Sequence, residues 1–159
     1  MKTCKLLKEQ VAAATGSKKA ELVLKNAQIV NVFTQSVETG DIAIEGGYIA
    51  GIGNYEGITE KDLGGAYVCP GFLDGHIHIE SSMTSPGEFE RAVVPHGTTA
   101  VITDPHEIAN VAGTAGIRFM IQSAQKLDLD VYFMLPSCVP ATDLDESGAE
   151  LLARDLESF

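Results

Sequence analysis

The sequence predicts an α/β protein whose second half opens a parallel barrel. Two observations carry that expectation. After Pro70, three Val/Ile-rich runs alternate with three helix-like stretches, and strand–helix alternation of this length implies βαβ units. Before Pro70 the chain is a series of β-branched runs separated by Gly- and Asn-containing turns, the pattern of short strands.

The elements follow in order. Residues 1–19 form an N-terminal helical segment, with a short helix over Leu6–Thr15 ended by Gly16 and a basic "SKK". Residues 20–69 are strand-rich. "AELVLKNAQIVNVFTQSVETGDIAIEGGYIAGIG" is interrupted at "NAQ", "ETGD" and "EGG" and reads as several short antiparallel strands. Gly46-Gly47 suits a tight hairpin turn between Ile44 and Tyr48. "NYEGITEKDLGG" reads as a polar loop, and "AYVCP" as a short strand stopped by Pro70.

Residues 70–159 hold the three βα units. "FLDGHIHIE", "TTAVITD" and "LDVYFMLP" are the strands. The helices are one behind Ser85-Pro86, one over "AGTAGIRFMIQSAQKL" starting near Thr114, and one over "SGAELLARDLESF" with Ser147 and Glu150 at capping-box spacing. A closed TIM (β/α)8 barrel needs eight units and about 250 residues, so three units read as the front part of an incomplete barrel. A complete three-stranded α/β domain is the alternative.

Composition narrows the function classes. With 45% hydrophobic residues in a chain of 159, a core is affordable and disorder is not expected. A net charge of −11 repels phosphate backbones and argues against nucleic acid as a partner. Cys4, Cys69 and Cys138 are scattered and make no C-x-x-C pair, which fits a reducing cytoplasm. Neither a signal-peptide core nor an apolar run of about 18 residues occurs, so no membrane partner and a cytoplasmic location are expected.

"PGFLDGHIHIESS" concentrates the chemistry. Residues two apart in a strand share a face, so Asp74, His76, His78 and Glu80 are expected together, opposite Leu73, Gly75, Ile77 and Ile79. Two imidazoles on one face bind one divalent ion, with a carboxylate orienting a ring nitrogen. A pair of core histidines, each bonded to a carboxylate, is the plainer reading. The position at a strand end of a βα unit favours the metal. Asp104, His106 and Glu107 follow the second strand on the same rim and form a second candidate cluster, or an ordinary polar loop turned by Pro105. His96 falls at the opposite end and reads as structural. "HIE" matches half of the zinc nucleobase deaminase signature, but P-C-x-x-C is absent, so that fold is rejected.

"YVCPGFLDGHIHIESSM" resembles the first barrel strand of the amidohydrolase superfamily. "HIHIESSM" and "PHGTT…DPHEIANV" make the stretch from Gly75 to Gly113 similar to the microbial adenine deaminase branch of that superfamily. The resemblance implies a distorted TIM barrel, with the strand-rich segment forming part of a small flanking β-sandwich. It implies a divalent metal held by His76 and His78, manganese foremost, with iron or zinc as alternatives. Glu80, Asp104, His106 and Glu107 would line the active-site rim. The implied reaction is hydrolysis of adenine to hypoxanthine and ammonia, in a homo-oligomer when complete. The remaining ligands and the main acid/base group are expected beyond Phe159, so the chain alone is expected to be inactive. Dihydroorotase-like or N-acetylglucosamine-6-phosphate deacetylase-like hydrolases share the PGF-D-H-x-H start and are the alternative enzymes. A truncated non-catalytic relative is the alternative from another class.

Overall fold

In the computed structural model, residues 3–142 and 144–159 are described, and the chain divides into two units, Met1–Pro70 and Gly71–Phe159. In the first unit, helix α1 (Cys4–Ala14) starts where the Thr3 hydroxyl accepts a hydrogen bond from the Leu6 amide at 3.3 Å. It ends at Gly16, whose φ of +70° suits a residue without a Cβ. Ala13 of this helix packs with Ala20, Val23 and Ala43 on one face of a five-stranded sheet. The helical and strand-rich segments therefore share one core.

That sheet is built on β1 (Ala20–Asn31). It pairs antiparallel with β2 (Ser36–Glu45), which pairs antiparallel with β3 (Tyr48–Gly53). The β2–β3 turn is Gly46-Gly47, with φ of +58° and +77°, the two positive values that a type I′ turn requires. β4 (Gly57–Asp62) and β5 (Tyr67–Val68) both run parallel to β1 along its other side. On the face opposite α1, Ala27, Ile29 and Ile42 form a second core cluster.

Three expectations are corrected here. "NAQ" is a β-bulge inside one long strand, with Asn26 at a φ of +57° and the register shifting between Leu24 and Ala27. "ETGD" lies within β2 and does not break it. "GITEKD" is a strand, although its composition is that of a loop. β4 closes one edge of the sheet, where charged side chains are tolerated and discourage further pairing. The sheet is accordingly mixed and not wholly antiparallel.

In the second unit, β6 (Phe72–Ile77), β7 (Thr98–Thr103) and β8 (Asp130–Phe133) form a parallel sheet in the order β6-β7-β8. Helix α2 (Pro86–Val93) has Ser85 as its N-cap residue and Pro at its first position. Helix α3 (His106–Ala124) connects β7 to β8. Ile79, Phe89, Val101, Met120 and Leu129 form the core of this unit. Glu90 of α2 accepts from the Asp128 and Leu129 amides, tying the helix to the start of β8.

α3 begins at His106, six residues before the Ala112 start read from the sequence. Gly113, at φ +57° and ψ −140°, kinks the helix, and the second half starts near Thr114 as expected. The third helix is reduced to α4 (Ala153–Leu156), with Asp155 accepting from the Leu152 amide at 2.8 Å. Ser147 caps nothing there. Its hydroxyl donates to the Asn110 carbonyl at 2.9 Å, beside the break in α3. The segment before α4 packs along α3 instead, with Val139 and Leu151 against Ala109 and Ile117. Among the described residues no helix is long and apolar enough to cross a membrane.

Candidate metal centre

The site sits where β6 and β7 end. Between Asp74 and Ile77, β6 carries one residue more than β7, a bulge that re-aims the strand. Asp74 is occupied there: its Oδ1 accepts from the His76 amide at 3.1 Å. β6 then stops at Ile77, whose carbonyl accepts from the Asp104 amide at 2.9 Å. That bond holds the first residue after β7 against the end of β6.

The two histidines converge. Nε2 of His76 and Nε2 of His78 lie 3.2 Å apart, with the rings inclined at 63°. Asp104 joins them: one donor atom from each of His76, His78 and Asp104 falls within 4.8 Å of the others. On the far side of the His78 ring, Nδ1 is 2.9 Å from Oε2 of Glu107, a charge contact without the alignment of a full hydrogen bond. His106 is looser, its Nδ1 3.9 Å from Oδ2 of Asp104.

Glu80 is not a strand residue. The strand has ended, and Glu80 lies in a 3-10 turn, Ile79–Ser82, pinned by the fully buried Ile79. Its Oε1 accepts from the Ile108 amide at 3.2 Å, in the first turn of α3. His96, exposed at the N-terminal side of β7, takes no part. Thr103 had no signal in the sequence, where it reads as an ordinary strand residue. It is fully buried and its hydroxyl is without a partner, next to Asp104.

The donor chemistry suits a divalent cation. Asp104 Oδ1 is buried with no hydrogen-bond partner, an arrangement that costs about 1–3 kcal/mol unless something positive answers it. A carboxylate beside His78 Nδ1 favours the proton on that nitrogen, which leaves the Nε2 lone pair facing His76 and free to coordinate. Two imidazoles and one carboxylate are three ligands of a type that zinc, manganese and iron accept.

Residues 67–159 match the model of the Amidohydrolase family. The chain belongs to that family. Among its curated relatives, "Adenine deaminase 2" of Carboxydothermus hydrogenoformans is 59% identical over 155 residues, covering 98% of this chain and 27% of the relative. "Adenine deaminase" of Geobacillus kaustophilus is 57% identical over 153 residues, covering 96% and 26%. The chain thus spans about a quarter of the length of these amidohydrolase relatives. Solved structures of similar fold include N-acyl-D-glutamate deacylase of Bordetella bronchiseptica, complexed with zinc and a phosphonate inhibitor. Its TM-score is 0.60 at 18% identity, over 89% of this chain and 35% of that one. A D-aminoacylase gives 0.61 at 17% identity, over 87% and 34%. At such identities the likeness is one of fold.

Proposed function

We propose that the whole protein is a metal-dependent adenine deaminase, hydrolysing adenine to hypoxanthine and ammonia, and that this chain supplies the N-terminal part of its active site. The observation that carries the reading is the convergence of His76, His78 and Asp104 at the ends of two adjacent parallel strands. Identities of 53–59% to relatives named adenine deaminase, over nearly all of the chain, support the choice of substrate.

His76 and His78 would hold the ion, with Asp104 as a third donor. Manganese is the proposed metal, in preference to iron or zinc. A bound divalent ion supplies a nucleophile at neutral pH by lowering the pKa of a water toward about 7. The chain's own residues prepare that site. Glu107 keeps a proton on His78 Nδ1, Asp74 fixes the bulge that aims His76, and the Ile77–Asp104 backbone bond sets the carboxylate beside both rings. In the overall reaction water adds at C6 of adenine and the exocyclic amine leaves as ammonia. The acid/base group that protonates the departing amine is assigned outside residues 1–159, so the chain by itself would not turn over.

In this reading β6, β7 and β8 are the first three strands of a TIM barrel, and the mixed sheet of the first unit is part of a β-sandwich. The enzyme would be cytoplasmic and homo-oligomeric. The test is loss of adenine absorbance in the whole protein loaded with manganese, alongside His76→Ala. Turnover in the parent, with metal content and turnover both lost in His76→Ala, is the expected result. Unchanged metal content in His76→Ala, or a parent that leaves adenine untouched, would overturn the proposal.

A further inference from the structure

α3 begins without a cap of its own. The first four amides of a helix lack intrahelical partners, and the residue before α3 is Pro105, whose side chain has nothing to offer them. The acceptor arrives from 28 residues away: Glu80 Oε1 receives the Ile108 amide. A carboxylate at this end also meets the favourable end of the helix dipole. Glu80 itself has little freedom. Ile79 is fully buried beside it, the Ser82 hydroxyl donates to the Ile79 carbonyl at 2.6 Å, and Met83, at φ +56°, closes the turn back onto the Glu80 carbonyl at 2.9 Å.

These contacts form a closed circuit. His78 is joined to Glu80 through Ile79; Glu80 binds the Ile108 amide; Ile108 is bonded to Glu107; and Glu107 returns to His78 Nδ1 at 2.9 Å. We infer that Glu80 is a positioning residue: by clasping the first turn of α3 it seats Glu107 against His78, and so keeps the His78 proton on Nδ1 and its Nε2 free for the ion. Glu80 therefore acts through Glu107 and not by reading the purine. The inference rests on the metal site proposed above, and deepens it with a residue that touches neither ion nor substrate.

The test uses the whole protein and measures manganese affinity by chelator competition, with the His78 tautomer followed by 15N-histidine NMR in the metal-free state. Glu80→Ala is expected to weaken manganese binding about tenfold, the lower end for loss of a partner that orients a ligand. It should also shift the His78 proton from Nδ1 toward Nε2. Glu80→Gln, whose amide oxygen still accepts from Ile108, should restore most of the affinity and the tautomer. Because Glu80 works through Glu107, Glu80→Ala combined with Glu107→Gln should be no weaker than Glu107→Gln alone. Two results would overturn the inference: manganese affinity and tautomer unchanged in both Glu80 variants, or the two losses multiplying in the double variant. Neither readout involves adenine. A protein inert toward adenine would remove the proposed substrate and leave this assignment standing, whereas one that binds no manganese would remove both.

Discussion

The two units bury carboxylates in opposite ways. In the first, Asp41 is 7% exposed and fully engaged: it accepts from Lys25 Nζ, from the Asn26 amide at 3.1 Å and from the Tyr55 amide at 3.3 Å. Glu45 accepts from Lys18 at 2.8 Å and from the Glu21 amide at 3.0 Å. In the second unit, Asp104 Oδ1, Glu80 Oε2 and the Thr103 hydroxyl are buried without partners, and His78 Nδ1 has only a misaligned carboxylate. Every such orphan among the described residues lies in the second unit, at or beside the His76–His78 pair. Satisfied burial holds a bulge and a hairpin in place; the unanswered oxygen of Asp104, the carboxylate grouped with both imidazoles, is what a site awaiting a cation looks like.

That contrast is most directly broken at Asp104. Asp104→Asn should weaken manganese binding at least tenfold, given that residues which merely orient a ligand already contribute that much. Its unfolding midpoint should hold or rise, because a buried uncompensated charge is removed. A clear loss of stability with unchanged metal affinity would make Asp104 structural, and the contrast would collapse.

The mirror experiment is Asp41→Ala. It strands two backbone amides and leaves Lys25 with the Tyr55 carbonyl and water, and should destabilise by about 2 kcal/mol, below the range for a fully buried pair. Manganese affinity should not change. Denaturant unfolding and metal titration of the same preparation check both halves.

The smallest expected effect is pH dependence. Lys25, beside Asp41, holds that carboxyl below its ordinary value of 3.8, outweighing burial, and Lys18 holds Glu45 below 4.5. Both groups bind protons more readily when unfolded. Their contribution is therefore complete above about pH 4.5 and is lost as the pH falls through 3.8 toward the depressed folded values. Unfolding midpoints between pH 6 and 3 should decline less steeply in Asp41→Ala than in the parent; parallel curves would remove Asp41 from the account.

Legibility in the sequence followed how local each cause is. Gly46-Gly47, Ser85-Pro86 and the Val/Ile run of β7 announce themselves because turn, cap and strand chemistry act between near neighbours. The His76–His78 pair was legible from spacing, as was the acidic cluster after β7. Three features depended on partners remote in sequence. β4 looks like a loop because its pairing is with the first half of β1, more than thirty residues earlier. The start of α3 is concealed because its acceptor is Glu80. Glu80 reads as a strand residue because strand periodicity does not register the turn into a 3-10 helix after Ile77.

Among the described residues, β1 is the one strand of its sheet with antiparallel pairing along one side, to β2, and parallel pairing along the other, to β4 and β5. In kinetic terms this imposes an order. The β1–β2–β3 meander closes through short turns, while the parallel pairing of β4 requires the intervening chain to be in place first, a larger loop closed at greater entropic cost. The first unit should therefore fold from the meander, with β4 docking late. Val23→Ala, at the centre of the meander core, should slow refolding. Ile58→Ala on β4 should act, if at all, on the unfolding rate; stopped-flow chevrons showing slower refolding for Ile58→Ala alone would reverse that order.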